Sequence, residues 1–217
     1  MKKLILIGFI LAFPVPHAFS QAVADSTLYD AGLALLNKAQ TTNNYLEAAF
    51  YFKQMTDQLP GQWPAFYYAG LAYLRASQTA LDSKYKDELI DKAQPMIDKA
   101  FAIRSGESEL HALQAFLYQT RLQVNPEVRA LSFSQKADAS LKKAVAANPS
   151  NPRAYMLMGY NTYYTPVLFG GGAKKALSLF LKAREKYHAF KPELPYLPSW
   201  GLAENQQMIR ECNQAPK

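Results

Sequence analysis

The sequence predicts an all-α protein in which helical hairpins repeat about four times along the chain. Apolar residues recur at i, i+3, i+4 and i+7 through long stretches, which is the period of an amphipathic helix. The period-two alternation of β-branched and polar residues that is typical of strands is missing. One apolar triplet recurs at intervals of 45, 44 and 39 residues, and a repeat of this length indicates stacked helical units.

Residues 1–20 have the organisation of a secretory signal peptide. Two lysines precede the uncharged apolar run Leu4 to Phe13, and Ala18-Phe19-Ser20 offers small residues where a signal peptidase reads them. The run is short for a membrane span. We therefore expect cleavage before Gln21, a single mature domain over residues 21–217, and a periplasmic protein. Secretion and an uncleaved N-terminal helix are the alternatives.

The recurring triplet predicts the second helix of each hairpin. Its i, i+4, i+7 spacing places all three side chains on one helix face, where small residues let a neighbouring helix approach a large one. Pro95 falls inside the second copy, so we expect a kink or a fresh helix start there. The four copies are Ala48-Phe52-Met55, Ala93-Ile97-Ala100, Ala137-Leu141-Ala144 and Ala176-Phe180-Ala183.

A second recurring pattern predicts the first helix of each hairpin. A small residue stands near the middle of each segment, and a larger one follows three positions later. We expect an inserted loop over residues 77–83, a junction between hairpins at residues 148–155 and a capping helix within residues 198–212. The pairs are Gly32 and Leu35, Gly70 and Tyr73, Ala115 and Tyr118, and Gly159 and Thr162.

These paired patterns resemble the tetratricopeptide repeat (TPR), over residues 25 to 190. The resemblance implies an α-solenoid of about four hairpins plus a C-terminal cap, with the first helices lining a concave surface. Projected onto this chain, it implies a binding groove formed by Tyr67, Arg75, Phe116, Gln119, Met156, Tyr160, Tyr163 and Tyr164. Each of these aromatic side chains could instead fill the core between helices.

The loop TPVLFGGG, residues 165–172, is the chemical feature that most resembles a known site. A glycine-rich turn before a helix resembles a phosphate loop, yet Gly170, Gly171 and Gly172 are contiguous and no hydroxyl follows Lys175. We interpret the segment as a five-residue extension of a hairpin turn, with Phe169 tucked beneath it. An anion or ligand contact at the helix start is the alternative.

A further order of residues, Tyr-Tyr, Pro, Gly-Gly and Lys-Ala-x3-Phe-x-Lys-Ala, resembles a signature of the T-component family. The resemblance implies a partner of TRAP-type transporters, and proteins of that family are usually lipid-anchored. This chain has a single cysteine, Cys212, so it lacks the N-terminal cysteine that carries such an anchor.

Residues for catalysis and metal binding are scarce. Only His111 and His188 follow the signal peptide, and neither has a nearby ligand-type partner. Carboxylates such as Glu107 and Glu109 occur where helices start, which the helix dipole explains. No block of basic residues indicates nucleic-acid binding. We expect no cofactor, no metal and no enzymatic activity.

The sequence therefore predicts a scaffold that binds an unidentified protein or peptide on its concave face. The alternative is a ligand-binding accessory component of a transport system, with a small molecule held inside the superhelix. A closed, apolar cavity would favour the alternative, and an open, wet groove would favour a peptide.

Overall fold

The computed structural model describes the backbone of residues 17–215 and the side chains of residues 26–215. Most of the expected signal peptide lies outside the described residues, and the bond before Gln21 lies within the first helix. The described chain contains nine α-helices and a short 3₁₀ turn at Val167–Phe169. The helices are α1 His17–Lys38, α2 Thr42–Gln58, α3 Trp63–Thr79, α4 Ser83–Ile103, α5 Ser108–Val124, α6 Pro126–Ala147, α7 Pro152–Tyr164, α8 Ala173–Ala189 and α9 Leu202–Gln214.

The helices pair into four hairpins, α1–α2, α3–α4, α5–α6 and α7–α8, which stack in chain order. Helix α9 packs against α8 and covers the last hairpin. The prediction of an all-α solenoid with four hairpins and a cap is confirmed. No described helix is long and apolar enough to cross a membrane.

Most of these helices begin at residues that are typical of helix N-termini. The side chains of Thr41, Asp82, Asn125 and Asn151 accept hydrogen bonds from the free backbone N–H groups of the first turn. Proline stands in the first turn of α3, α6 and α7, where its missing N–H costs nothing. These caps make the hairpin turns short, since α5 and α6 share Asn125 as the boundary residue.

The recurring triplets form the centre of the core. All twelve of their side chains are buried, with at most 2% exposed. The small residues of the first helices lie directly against them: a Cβ atom at Gly159 would stand 2.6 Å from the Phe180 ring, and one at Gly32 would stand 2.6 Å from the Phe52 ring. Glycine at these positions therefore permits the close approach that the sequence pattern predicts.

The structure contradicts the alternative of a fresh helix start at Pro95 and the expected inserted loop. Helix α4 runs without interruption through Pro95, so no fresh helix starts there. The inserted loop over residues 77–83 is also absent, because α3 continues to Thr79 and only residues 80–82 connect it to α4. The buried Ser77 hydroxyl donates to the carbonyl of Lys86, which removes the polar cost of keeping this serine inside a helix.

The interpretation of Glu109 as a simple helix-start carboxylate is incomplete. Glu107 does cap α5, since it accepts from the backbone N–H of Glu109. Glu109 itself is buried and forms a bidentate pair with Arg153 of α7, at 2.6 and 2.7 Å. Arg153 also donates to the carbonyl of Trp200 and lies over the Phe190 ring. This ion pair ties three segments of the stack together.

Candidate ligand-binding site

A pocket of about 1000 Å³ lies where the second halves of α3, α5 and α7 meet the start of α6, the α7–α8 loop and the cap. Most of its lining side chains are aromatic or aliphatic. They are Phe116, Leu122, Pro126, Ala130, Leu131, Met156, Leu157, Tyr160, Tyr164, Pro166, Phe169 and Trp200, with the polar residues Arg75, Gln78, Gln119, Gln123, Ser134, Asn161, Thr165 and Glu204. We call this feature the apolar pocket.

Arg75 is the cationic residue of the apolar pocket. Its guanidinium carbon lies 5.2 Å from the centre of the Phe116 ring and 5.1 Å from the Trp200 ring, which is cation–π geometry. One guanidinium nitrogen donates to Glu204 of α9 at 2.8 Å. Because Arg75 and Glu204 side chains are 22% and 38% exposed, this ion pair can exchange with solvent or with an anionic ligand.

Three side-chain amides of the pocket form hydrogen bonds within the protein. Gln119 donates to the carbonyl of Leu157 at 2.8 Å, and Asn161 donates to Ser134 and to Asp138 of α6. Gln78 accepts from Arg75. The bonds of Gln119 and Asn161 join neighbouring helices and occupy amide donors that an extended peptide would need, whereas the Gln78 bond lies within α3.

The tyrosine cluster at residues 160–164 is divided between core and surface. Tyr160 is half-buried, with its ring edge-on to Phe180 at 5.5 Å, and Tyr164 is 64% exposed. Burial, with a smaller effect from Glu204, raises the pKa of Tyr160 to about 12. Its hydroxyl is therefore neutral at physiological pH, and it presents a polar but uncharged group to the pocket.

The structure brings most of the predicted groove residues together. Those that line the pocket are Arg75, Phe116, Gln119, Met156, Tyr160 and Tyr164, and the loop residue Phe169 lines it as well. Tyr67 does not, because it is fully buried and its hydroxyl accepts from the Trp200 indole at 2.9 Å. Tyr163 lies edge-on to Tyr164 and is also outside the lining, as are the three glycines of the loop.

The glycine loop forms an extended turn between α7 and α8, as the sequence predicts. Gly170 and Gly172 have φ of 83° and 94°, which strongly favours glycine, and Gly171 passes against the carbonyl oxygens of Thr162 and Thr165. The expectation that Phe169 tucks under this loop is wrong. Its side chain is 77% exposed, because the 3₁₀ turn at Val167–Phe169 directs it outward at the rim of the pocket.

The cap contributes two residues that sequence reasoning did not assign to the site. Trp200 and Glu204 line the pocket from the α8–α9 connection and the first turn of α9. Gly201, with φ of 105°, lets the chain turn between them, and its missing Cβ leaves room for the Tyr187 hydroxyl. The tryptophan-glycine pair before a helix was the available signal.

The histidines and the cysteine among the described residues lie outside the pocket lining. Among the described residues no cluster of histidine, cysteine, aspartate or glutamate could hold a metal ion. His111 packs on the Phe101 ring at 5.0 Å, and burial lowers its pKa. Cys212 is buried in α9, where burial raises the pKa of its thiol and makes it a poor nucleophile.

The fold and the pocket together define an all-α helical scaffold of the TPR-like kind. One similar solved structure is the HusA haemophore from Porphyromonas gingivalis, with 29% identity, a TM-score of 0.79, and coverage of 87% of this chain and 92% of that one. Another is a thermophilic TPR protein from Thermus thermophilus, with 17% identity, a TM-score of 0.55, and coverage of 92% and 94%.

The second structure bears on the fold alone, whereas the first adds a functional comparison. Neither supports the expected resemblance to the T-component family. The chain matches no family model and no curated protein.

Proposed function

We propose that this protein binds haem or a closely related porphyrin in the apolar pocket and carries it as cargo. The observation that carries the proposal is the pocket itself, an aromatic-lined cavity with one arginine, in a chain similar to a haemophore over most of its length. The proposal takes up the alternative of a ligand-binding accessory protein in place of the peptide-binding scaffold.

The size and lining of the pocket suit a large, flat, apolar ligand. Small-molecule sites generally enclose about 300–1000 Å³, so this pocket lies at the upper end of that range. Phe116, Trp200 and Tyr160 present aromatic surface, and Met156 and Leu157 are almost fully buried beside them. Porphyrin ring faces gain most from such surface, because burying apolar area releases water.

Arg75 gives the pocket a group for the carboxylates of a porphyrin. Its two aromatic neighbours hold the guanidinium in place, and its carboxylate partner Glu204 is partly exposed. A propionate of the ligand can therefore take the place of Glu204 and form a charge-assisted hydrogen bond. The exposed Glu204 then returns to water at low cost.

The pocket offers few ligands for iron. Neither His111 nor His188 lines it, and the sulfur of Met156 accepts a hydrogen bond from the Tyr187 hydroxyl at 3.5 Å. Tyr160 is neutral, and Tyr164 stands at the rim. Haem iron is commonly held by histidine, thiolate, methionine or tyrosinate. We propose that ring burial and Arg75 supply most of the affinity, so a metal-free porphyrin also binds.

The engaged amides favour this ligand over a peptide. An extended peptide needs many backbone hydrogen bonds, and the side-chain amides of Gln119 and Asn161 already donate within the protein. A porphyrin ring needs few. In the proposed function the protein acts by binding and not by catalysis. Residues 1–20, which resemble a signal peptide, and the similarity to a haemophore support the proposal that the protein is exported.

Absorption titrations with haemin, metal-free protoporphyrin and its dimethyl ester test the proposal. We expect saturable one-to-one binding of both acids. Arg75→Met should weaken the binding of both acids by at least tenfold, about 1.4 kcal/mol, and should change the affinity for the diester by no more than about twofold. The matched control is Arg104→Met, which removes an exposed arginine outside the pocket.

Failure of both porphyrins to bind would contradict the proposed function. Equal losses for the diacid and the diester in Arg75→Met would contradict the role of Arg75 in recognising a carboxylate.

A further inference from the structure

The exposed apolar side chains of this protein gather at one end. In a stack of hairpins the first helices run parallel, so the turns at residues 39–41, 80–82, 125 and 165–172 lie at the same end, which we call the turn end. Eleven large hydrophobic side chains are exposed among the described residues. Eight of them lie in or within six residues of these turns: Leu81, Tyr85, Val128, Leu131, Tyr164, Val167, Leu168 and Phe169.

The α7–α8 loop is the most apolar part of the turn end. Val167, Leu168 and Phe169 are consecutive in sequence, and their exposed fractions are 78, 88 and 77%. Such an apolar tip costs free energy in water, which indicates that a partner covers it. Because Val167 and Leu168 do not line the apolar pocket, ligand binding does not account for them.

Four backbone N–H groups of this loop are hydrogen-bonded within the hairpin. The N–H groups of Phe169 and Gly171 donate to the carbonyl of Pro166, that of Gly170 donates to Val167, and that of Gly172 donates to Thr162. An apolar environment penalises unpaired backbone groups, and these four bonds lower that penalty for a loop that enters a lipid headgroup region. Gly170 and Gly172, which have positive φ, allow the loop to adopt this conformation in the free protein.

The charge beside the loop is positive. Lys174 and Lys175 are exposed in the first turn of α8, and the Lys175 ammonium lies next to Gly170. No acidic residue occurs in the sequence between Asp138 and Glu185. Acidic groups of other elements face α7 and the turn end: Glu211 and Glu204 of α9 act on Tyr164 and Tyr160, Asp138 of α6 accepts from Asn161, and Glu127 lies in the first turn of α6.

We propose that the α7–α8 loop docks the protein on an anionic lipid surface, with Val167, Leu168 and Phe169 entering the headgroup region and Lys174 and Lys175 contacting lipid phosphates. An apolar tip flanked by lysines matches both layers of such an interface. The docked loop places the rim of the apolar pocket against the membrane. The inference does not depend on which ligand the pocket holds.

Flotation with lipid vesicles tests the proposal. We expect the full chain to float with vesicles that contain phosphatidylglycerol and to bind phosphatidylcholine vesicles more weakly. Raising the ionic strength should lower binding to the anionic vesicles, because exposed charges are screened. The variant Val167→Ser/Leu168→Ser should bind at least tenfold more weakly. Lys174→Gln/Lys175→Gln should lose most of the preference for anionic lipid.

Matched controls separate the loop from general surface effects. Phe50→Ser/Leu194→Ser removes two exposed apolar side chains outside the turn end, and Lys142→Gln/Lys143→Gln removes two exposed lysines near the other end of α6. Both should bind vesicles like the parent. Circular dichroism and a porphyrin titration should show that Val167→Ser/Leu168→Ser remains folded and keeps its pocket.

Three outcomes would overturn the proposal: no vesicle binding by the parent, equal loss in the control pair, or a loop variant that binds vesicles normally. The first would leave the loop as a protein-docking surface. Porphyrin binding can succeed or fail independently of each of these results.

Discussion

At the scale of single residues, the buried ion pair between Glu109 and Arg153 joins α5 to α7. Arg153 is fully buried, and Glu109 has 10% of its side chain exposed. Neither charge has solvent to replace a lost partner, so each depends on the other. The sequence showed both charges, but it gave no means of pairing residues 44 positions apart.

Removing one member of this pair should be far more damaging than removing both. We expect Arg153→Met to lower the free energy of unfolding by about 3–5 kcal/mol, because Glu109 remains buried without a partner. The double variant Glu109→Gln/Arg153→Met should recover part of that loss. Urea denaturation of the parent and the two variants gives the comparison.

The control for this prediction is the exposed pair of Arg104 and Glu107, whose arginine side chain is 61% exposed. Arg104→Met should change stability by less than about 1 kcal/mol, as expected for a surface pair. Comparable losses of unfolding free energy in Arg153→Met and Arg104→Met would show that the buried pair contributes no more to stability than an exposed pair.

At the scale of elements, the recurring triplets explain why the helices pair as they do. Phe180 is fully buried beside Gly159 of α7, and Asn205 of α9 donates to its carbonyl. One aromatic residue thus joins both helices of the last hairpin to the cap. Phe169 lies in the loop of the same hairpin but is exposed, which makes it a natural comparison.

Truncating Phe180 should test this arrangement. We expect Phe180→Ala to cost about 3–5 kcal/mol through the lost apolar burial and the cavity that remains. Phe169→Ala should stay within about 0.5 kcal/mol of the parent, as surface changes usually do. Denaturant melts that show equal effects would remove Phe180 from the core of the fourth hairpin.

A second prediction at this scale concerns the backbone of the glycine loop. A Cβ at Gly171 would meet the Thr165 carbonyl and stand 2.6 Å from the Thr162 carbonyl oxygen, so Gly171→Ala should force the loop to shift and destabilise the protein. Gly106→Ala is the control, because nothing lies within 4 Å of its Cβ position. Thermal melts should show a lower midpoint for Gly171→Ala alone, and equal midpoints would contradict the described path of the loop.

Local and periodic signals carried most of the fold prediction. The triplets and the small residues opposite them depend on contacts within one hairpin, the Asn-Pro junction depends on local helix capping, and the structure confirms them. Pro95 and Ser77 led to predictions that the structure does not bear out. Helix α4 continues through Pro95, and the Ser77 hydroxyl donates to the carbonyl of Lys86, so α3 also continues past this serine.

The candidate site was harder to predict, because its geometry depends on how hairpins rotate against one another. The TPR resemblance implied that Arg75 and Tyr160 face a binding groove, and both line the pocket. The same resemblance could not show that Tyr67 turns into the core to meet Trp200. The pocket also needs the cap, and the Arg75–Glu204 contact spans 129 positions of sequence.

At the scale of the whole molecule, the cap and the stacked hairpins close around the apolar pocket, which the α7–α8 loop rims. A solenoid with short repeats would leave such a surface open. Here α9 brings Trp200 and Glu204 across it, so the scaffold can enclose a small ligand as well as present a face. The central claim is that this pocket is where a porphyrin binds.

Haemin titration of pocket and surface variants of α6 tests that claim most directly. Ala130→Glu/Leu131→Glu places two carboxylates in the lining at exposed positions, whereas Ser132→Glu/Ala139→Glu adds the same charge to the same helix outside the lining. We predict that the first variant binds haemin at least tenfold more weakly than the parent, about 1.4 kcal/mol, and the second within about twofold. Equal affinities in the two variants, or no saturable binding by the parent, would contradict the account.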